Sequence, residues 1–208
     1  MPVAFAHVVE LLETLERLQL NPKTHHKTIQ SKSRSCLFSW FEHFRSDIAN
    51  SPRTLLAIQS ALLPHLRPDR VYNLREEGLS RALAKQLCVW RTRRAPDLLE
   101  WRTTTRRGDL GSAVQKVMKE TEVDERGEAV TVEQLEDALD RLACRSVFSD
   151  AELRRRVKAA GGVDTNFTPL LTLFYRLSSV EAKWVTRIVL KNHLMKIPGV
   201  YPWPVGRD

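Results

Sequence analysis

The sequence predicts an all-α fold, a compact array of many helices. Apolar residues recur at intervals of three and four along most of the 208 residues, whereas the two-residue alternation typical of strands is nearly absent. Three segments also begin with a hydroxyl residue followed three positions later by Gln or Glu. This capping-box pattern marks helix starts at Thr131 with Gln134, Ser149 with Glu152, and Ser178 with Glu181.

The first half of the chain divides into five predicted helices. The first presents one apolar face, formed by Phe5, Val8, Leu12, Leu15 and Leu18. A segment rich in His, Lys and Ser, residues 21–34, is expected to separate it from a second helix over residues 36–48. Ser51-Pro52 begins a third helix, because proline is well tolerated at a helix start. Two more are expected around residues 74–87 and after Gly111.

The second half continues the helical pattern from the three capping boxes. Gly161-Gly162 is expected to end the helix that contains "ELRRRVKAA". The tail "IPGVYPWPVGRD" holds three prolines and is incompatible with a helix. The predicted organisation is therefore a helical domain over residues 1–192, followed by a Pro-rich exit tail or linker over residues 193–208.

The charge balance favours a polyanionic partner. Lys and Arg number 33 against 25 Asp and Glu, which gives a net charge of +8. Three scattered cysteines without a Cys-x-x-Cys pair indicate a reducing compartment and neither a disulfide framework nor a zinc site. No apolar run approaches the ~18 residues needed to span a bilayer, so we expect an intracellular protein with no membrane partner. We also expect no metal, because no Cys or carboxylate spacing supports a site near the histidine pair His25-His26.

One predicted helix carries a row of cations. In "SSVEAKWVTRIVLKN", Lys183, Arg187 and Lys191 are spaced four residues apart beside an apolar arc formed by Trp184, Val185, Ile188 and Val189. Such a row repels itself unless anions neutralise it, so we expect it to lie on a solvated edge against phosphates. Replacing each cation by alanine should then weaken DNA binding and hardly change stability. A plain solvated face is the alternative.

A second basic stretch, "EWRTTTRRGDLGSAVQKV", has the features of an anion site. Its hydroxyl and guanidinium groups are usual phosphate ligands: Arg102, Thr103, Thr104, Thr105, Arg106 and Arg107. The turn from Gly108 to Gly111 leads into a helix expected near Ser112, where free backbone N–H groups would face an anion. A plain helix cap is the competing interpretation. A nucleotide P-loop is disfavoured because no Gly-Lys-Ser/Thr follows.

Four blocks of the sequence together resemble the N-terminal DNA-binding domain of eukaryotic ATP-dependent DNA ligases, most closely the ligase IV branch. They are "FAHVVELLETLERLQ", "LLPHLRPDRVYNLREEGLSRALAKQL", "WRTTTRRGDLG" and "SSVEAKWVTRIVLKN". The resemblance implies an all-helical module that grips duplex or nicked DNA in double-strand break repair by non-homologous end joining, in the nucleus. It also implies backbone contacts from the matching positions Arg102, Thr103, Gly108, Gly111, Lys183, Arg187 and Lys191.

The resemblance has consequences for chemistry and partners. No lysine lies in a Lys-x-Asp-Gly adenylation motif, so we expect no catalytic residue and no cofactor in this chain. ATP and Mg²⁺ are expected only for a full-length ligase. The resemblance also implies that a peptide of an end-joining nuclease docks on the first two helices. Two alternatives stay open: an RNA-binding helical module, and a protein-interaction module or scaffold anchored by partly exposed Trp40, Phe41 and Phe44.

Overall fold

The computed structural model describes residues 2–21, 25–104, 109–120, 127–161 and 168–192. The predicted 193–208 tail lies outside these ranges, so the boundary at residue 192 stays a prediction. The twelve α-helices of the described residues are Phe5–Gln19 (α1), His26–His43 (α2), Arg45–Ala49 (α3), Pro52–Leu62 (α4), Glu76–Gln86 (α5), Ala95–Leu99 (α6), Trp101–Thr104 (α7), Leu110–Lys119 (α8), Val132–Cys144 (α9), Ala151–Ala159 (α10), Thr168–Phe174 (α11) and Ser179–Val189 (α12). A 3-10 turn, Pro64–Leu66, follows α4.

The all-α prediction is confirmed. Among the described residues there is no strand, and one isolated antiparallel bridge joins Ala4 to Thr131. The helices surround one main core to which nearly all of them contribute apolar side chains. Helix α12 packs along α8 and against α1, while α4, α10 and α11 pack on α9.

Helix α12 lies at the centre of the molecule. Every residue from 181 to 189 is buried, polar ones included. Its predicted apolar arc is confirmed, because Trp184, Val185 and Ile188 are fully buried. A helix that is enclosed on all sides has no solvated edge. This placement decides what its basic residues can do.

Two of the three predicted capping boxes are confirmed. At α9, the Thr131 hydroxyl accepts from the Gln134 amide at 3.2 Å, and the Gln134 side chain accepts from the Thr131 amide at 3.2 Å. At α12, the Ser178 hydroxyl accepts from the Glu181 amide at 3.1 Å, and the Glu181 carboxylate accepts from the Ser178 amide at 2.6 Å. Both helices therefore start where local sequence chemistry predicts.

The third capping box, at Ser149, is wrong by one position. Asp150 caps α10, accepting from the amides of Glu152 at 2.8 Å and Leu153 at 3.1 Å. The Ser149 hydroxyl instead accepts from the Val71 amide at 2.9 Å, and it is buried. Asp is as good a helix cap as Ser, so Asp150 can replace Ser149 in this role. Ser149 is not available as a cap because its hydroxyl is hydrogen-bonded to the segment after α4.

Several helices differ from the sequence prediction in extent. Helix α2 begins at His26, so most of the expected 21–34 gap is helical, and α3 is separate from α2. The start of α2 is polar because most of its surface faces solvent, which hides the apolar periodicity. Helices α6, α7 and α11 were not predicted. They span seven residues or fewer, too short for periodicity to be recognised.

A buried ionic cluster fixes the segment after α4 to α9. The Arg70 side chain is almost fully buried, and its Nε donates to Asp140 Oδ1 at 2.7 Å while Nη1 donates to Glu136 Oε2 at 3.0 Å. Arg67 donates to Glu136 at 2.5 Å and to Asp69 at 2.8 Å. Buried charges are tolerated where they are paired and hydrogen-bonded as here.

Candidate nucleic-acid interface

The cation row of α12 lies inside the protein. The exposed fractions are 4% for Lys183 and 2% for Arg187, so the expectation that they lie on a solvated edge is wrong. Their charges are neutralised internally by carboxylates of α1 and of the residue before α8. The spacing of the cations predicts a free side of α12, but α1 and α8 cover that side.

Arg187 links α12 to two other elements. Its Nε and Nη2 donate to Asp109 Oδ2 at 3.1 and 2.6 Å, and its Nη1 donates to Glu16 Oε1 at 3.0 Å. The guanidinium carbon lies 4.7 Å from the centre of the Trp184 ring. A planar guanidinium with several fixed donors can hold two carboxylates at once, so Arg187 joins α1, α8 and α12.

Lys183 completes the same network. Its Nζ donates to Glu16 Oε2 at 3.0 Å and also pairs with Glu13. Glu13 in turn accepts from Trp184 Nε1 at 2.6 Å. We call these residues the α12 ionic network: Glu13, Glu16, Asp109, Lys183 and Arg187.

The network lowers the pKa of two of its acids. Burial by itself raises the pKa of Glu16, but the charges and hydrogen bonds of Arg187 and Lys183 outweigh it and hold that pKa below its ordinary value of 4.5. Burial likewise raises the pKa of Asp109, and Arg187 and Ser112 bring it below 3.8. Both carboxylates are therefore ionised at neutral pH and are held by their cations.

The predicted anion site at the start of α8 is occupied by the protein itself. The Asp109 carboxylate accepts from the amides of Gly111 and Ser112, both at 3.1 Å, and from the Ser112 hydroxyl at 2.8 Å. Helix α8 begins at Leu110, close to the predicted start. The interpretation of Gly111 and Ser112 as donors of free N–H groups is thus wrong, and the alternative of a plain helix cap is correct.

Gly111 has a packing role. A Cβ atom at this position would lie 2.8 Å from the Lys183 carbonyl oxygen and 3.0 Å from Arg187 Cγ. Only a residue without a side chain lets α8 approach α12 this closely.

The third cation of the row, Lys191, is partly buried just beyond the end of α12. Its Nζ donates to the carbonyls of Arg67 and Arg70, at 2.7 Å each, and its φ of 51° is left-handed. Burial lowers the pKa of this ammonium group, and the neighbouring Asp69 only partly offsets that effect. Lys191 thus ties the end of α12 to the segment after α4.

Of the second basic stretch, Arg102 and Thr103 are on the surface. The Arg102 side chain is 59% exposed, lies 4.5 Å from the Trp101 ring centre, and donates to Glu76 at 3.3 Å and Glu77 at 3.1 Å. The Thr103 hydroxyl donates to the Glu100 carbonyl at 2.9 Å. The backbone of Thr104 closes α7. The predicted ligands Thr105, Arg106, Arg107 and Gly108 lie outside the described residues.

The fold brings the two basic stretches together at one open hollow of about 570 Å³. Arg102 reaches it from α7 and Lys191 from the end of α12, although 89 residues separate them in sequence. The other residues that line the hollow are Leu74, Arg75, Glu76, Glu77, Leu190 and Asn192.

Comparison with known families decides the assignment. The family model described as "DNA ligase N terminus" matches residues 4–198. The chain belongs to this family. The family gives the domain a DNA-binding role in a ligase. No curated protein sequence matches the chain.

Sequence reasoning missed three important residues of this ligase domain. Asp109 was treated as part of a glycine turn, although Asp directly before an apolar helix pattern is a strong cap signal. Glu13 and Glu16 lie within the apolar pattern of α1, and acids at such positions signal a buried counter-charge. Together these carboxylates neutralise Lys183 and Arg187, the cations expected to contact DNA.

The described residues of the ligase domain contain no group of three or more His, Cys, Asp or Glu residues that could hold a metal ion. The buried Lys183 is engaged by two glutamates. None of the described helices is long and apolar enough to cross a bilayer.

Proposed function

We propose that this chain is the DNA-binding domain of a ligase IV-type ATP-dependent DNA ligase, acting in the nucleus in double-strand break repair by non-homologous end joining. It binds duplex or nicked DNA through backbone phosphates without reading sequence. The observation that carries the proposal is the family match over residues 4–198. The four sequence blocks similar to the ligase IV branch and the net charge of +8 support it.

Within this proposal, the candidate residues have two kinds of role. Arg102 and Thr103 are surface residues and contact phosphates, together with the adjoining Thr104, Thr105, Arg106, Arg107 and Gly108. Lys183 and Arg187 are positioning residues. Because Arg187 holds Asp109, and Asp109 caps α8, the network fixes the residue that directly follows Thr105, Arg106, Arg107 and Gly108 in the chain.

The test is a titration of a labelled nicked duplex at two salt concentrations. Wild-type affinity should fall steeply as salt rises, because phosphate contacts release counterions, and it should be independent of sequence. Arg102→Ala should lower the salt slope by about one, since one phosphate contact is lost. Arg53→Ala is the matched control, because its side chain is also 59% exposed and ion-paired but lies on α4, away from the hollow. A flat salt response of the wild type would refute the proposal.

ATP and Mg²⁺ belong to the full-length ligase in this proposal. The chain itself should form no covalent adenylate with them, because none of its lysines lies in a Lys-x-Asp-Gly motif. Intact mass spectrometry after incubation with ATP and Mg²⁺ measures this. A mass gain of one AMP on a lysine would contradict the assignment of this chain as a non-catalytic domain.

A protein-interaction role is the second candidate, and one observation favours it. Phe38 on α2 is 67% exposed, and Trp40 and Phe41 of the same helix, with Phe44 directly after it, are only partly buried against the main core. This aromatic surface suits a peptide of an end-joining nuclease. The fluorescence anisotropy of the labelled nuclease peptide should show that it binds the wild type. Phe38→Ser should weaken this binding. Phe148→Ser, on the loop before α10, should leave it unchanged. Equal binding by wild type and Phe38→Ser would remove this candidate.

A further inference from the structure

A second cationic surface, formed by residues other than the predicted DNA ligands, surrounds the C-terminal end of α5. Trp90 is 43% exposed, and Lys85 Nζ lies 6.0 Å from its ring centre. Tyr175, which follows α11 in the chain, is 60% exposed, and its hydroxyl donates to the Gln86 carbonyl at 2.9 Å. We call the exposed residues Lys85, Trp90, Arg91, Arg93 and Tyr175 the Trp90 patch.

The loop that carries Trp90, Arg91 and Arg93 is held in place by hydrogen bonds to its own backbone. The Trp90 amide donates to the Ala84 carbonyl at 3.1 Å, and the Thr92 hydroxyl donates to the Val89 carbonyl at 2.9 Å. Val89 is buried in the main core, which anchors the loop between exposed neighbours. The backbone that displays Trp90 is therefore anchored, and Tyr175 is tied to α5 through Gln86, so binding need not order these two positions.

The charge of this region has a single sign. Residues 78–95 contain five cations, Arg81, Lys85, Arg91, Arg93 and Arg94, and no acid. No ion pair joins Arg91 or Arg93 to another residue in the part of the chain that the structure describes, in contrast to Arg102 and Arg53. Two exposed arginines without a described counter-charge attract an anion such as a phosphate.

Exposed rings between cations suit a ligand that presents both flat faces and phosphates. Unpaired nucleotides have this chemistry, because their bases stack on aromatic side chains while the backbone follows basic residues. In a duplex the base faces are covered by neighbouring pairs, so the rings would contribute little. We propose that the Trp90 patch binds single-stranded DNA. This goes beyond the proposed duplex binding, which needs phosphate contacts only.

The experiment compares a labelled oligothymidylate with a labelled blunt duplex, using the purified chain at low salt. Trp90→Ala and Tyr175→Ala should each weaken single-strand binding about five- to hundredfold, since stacking one base is worth about 1–3 kcal/mol and 1.4 kcal/mol is tenfold. Duplex affinity should stay within twofold of wild type. Trp90→Phe, which keeps an aromatic face, should retain most of the single-strand affinity. Phe148→Ala is the control, because Phe148 is exposed and lies outside the patch.

The possible outcomes separate this proposal from duplex binding. Unchanged oligothymidylate affinity in both alanine variants overturns it, and so does a loss shared equally by the duplex. If Trp90→Ala fails to fold, the double variant with Arg91→Ala and Arg93→Ala tests the proposal. It should lower both the affinity for the oligothymidylate and the salt dependence of that affinity, and an unchanged affinity overturns the single-strand site. If the wild type binds the oligothymidylate but no duplex, the proposed duplex binding is refuted and the single-strand site is not. If it binds duplex but no oligothymidylate, the single-strand site is refuted and the proposed duplex binding is not.

Discussion

At the scale of single residues, the role of a charged side chain depends on what surrounds it. Arg187 and Arg102 were both expected to meet phosphates, yet Arg187 is 2% exposed between Asp109 and Glu16, while Arg102 lies on the surface. Removing an enclosed cation leaves its partner acids buried without a counter-charge. Removing a surface cation leaves its partner acids solvated by water.

The first prediction reverses the expectation drawn from the sequence for this arginine. Arg187→Ala should lower the free energy of unfolding by about 3–5 kcal/mol, because Asp109 and Glu16 lose their partner inside the protein. Arg53→Ala, which removes a surface pair, should change it by no more than about 0.5 kcal/mol. Urea denaturation of both variants measures this. Equal stability of the two would mean that water reaches the α12 ionic network.

The second prediction concerns two helical glycines in different surroundings. Gly111→Ala should destabilise the protein by about 1–3 kcal/mol, because its Cβ would lie 2.8 Å from the Lys183 carbonyl oxygen and force α8 from α12. Gly78→Ala in α5 should instead stabilise the protein by about 0.5–1 kcal/mol. A Cβ atom at this position would have no atom within 4 Å beyond its own helix backbone, and Ala favours a helix over Gly. Thermal denaturation compares them, and shifts of the same sign would contradict the close approach.

At the scale of elements, the capping boxes act locally, and the third prediction tests one of them. Ser178→Ala removes the hydroxyl that accepts from the Glu181 amide, and it should cost about 1 kcal/mol. Ser31→Ala, at an exposed position within α2, should change stability by no more than about 0.5 kcal/mol. The midpoint of urea unfolding measures both. A neutral Ser178→Ala would show that packing alone fixes the start of α12.

At the scale of the whole molecule, the α12 ionic network joins α1, α8 and α12, and its acids make stability depend on pH. The folded-state pKa values of Glu16 and Asp109 lie below their ordinary values of 4.5 and 3.8. A depressed carboxyl pKa contributes stability that is present above the ordinary pKa and is lost as pH falls through the folded-state value.

The fourth prediction follows from that sign. The free energy of unfolding of the wild type should fall as pH decreases below the ordinary values of 4.5 and 3.8 and these carboxylates take up protons. Arg187→Met should show a smaller fall, because without the guanidinium the pKa of Asp109 is no longer held down. Urea denaturation at a series of pH values measures both slopes. Parallel slopes would show that other carboxylates, such as Asp69 beside Arg67, govern the acid response.

The sequence by itself determined the helical class, the starts of α9 and α12, and the apolar arc of Trp184 and its neighbours, because these depend on residues three or four positions apart. Only the tertiary structure decided that Lys183 and Arg187 are enclosed. Their partners Glu13 and Glu16 are more than 160 residues away in the chain, and no local pattern shows that α1 covers α12. For the same reason, the sequence does not show that Gly111 is needed for the close contact between α8 and α12. In the sequence, a glycine in the first turn of a helix has the same appearance whether a phosphate or another helix approaches it. The short distance from a Cβ at Gly111 to the Lys183 carbonyl oxygen shows that here it is another helix.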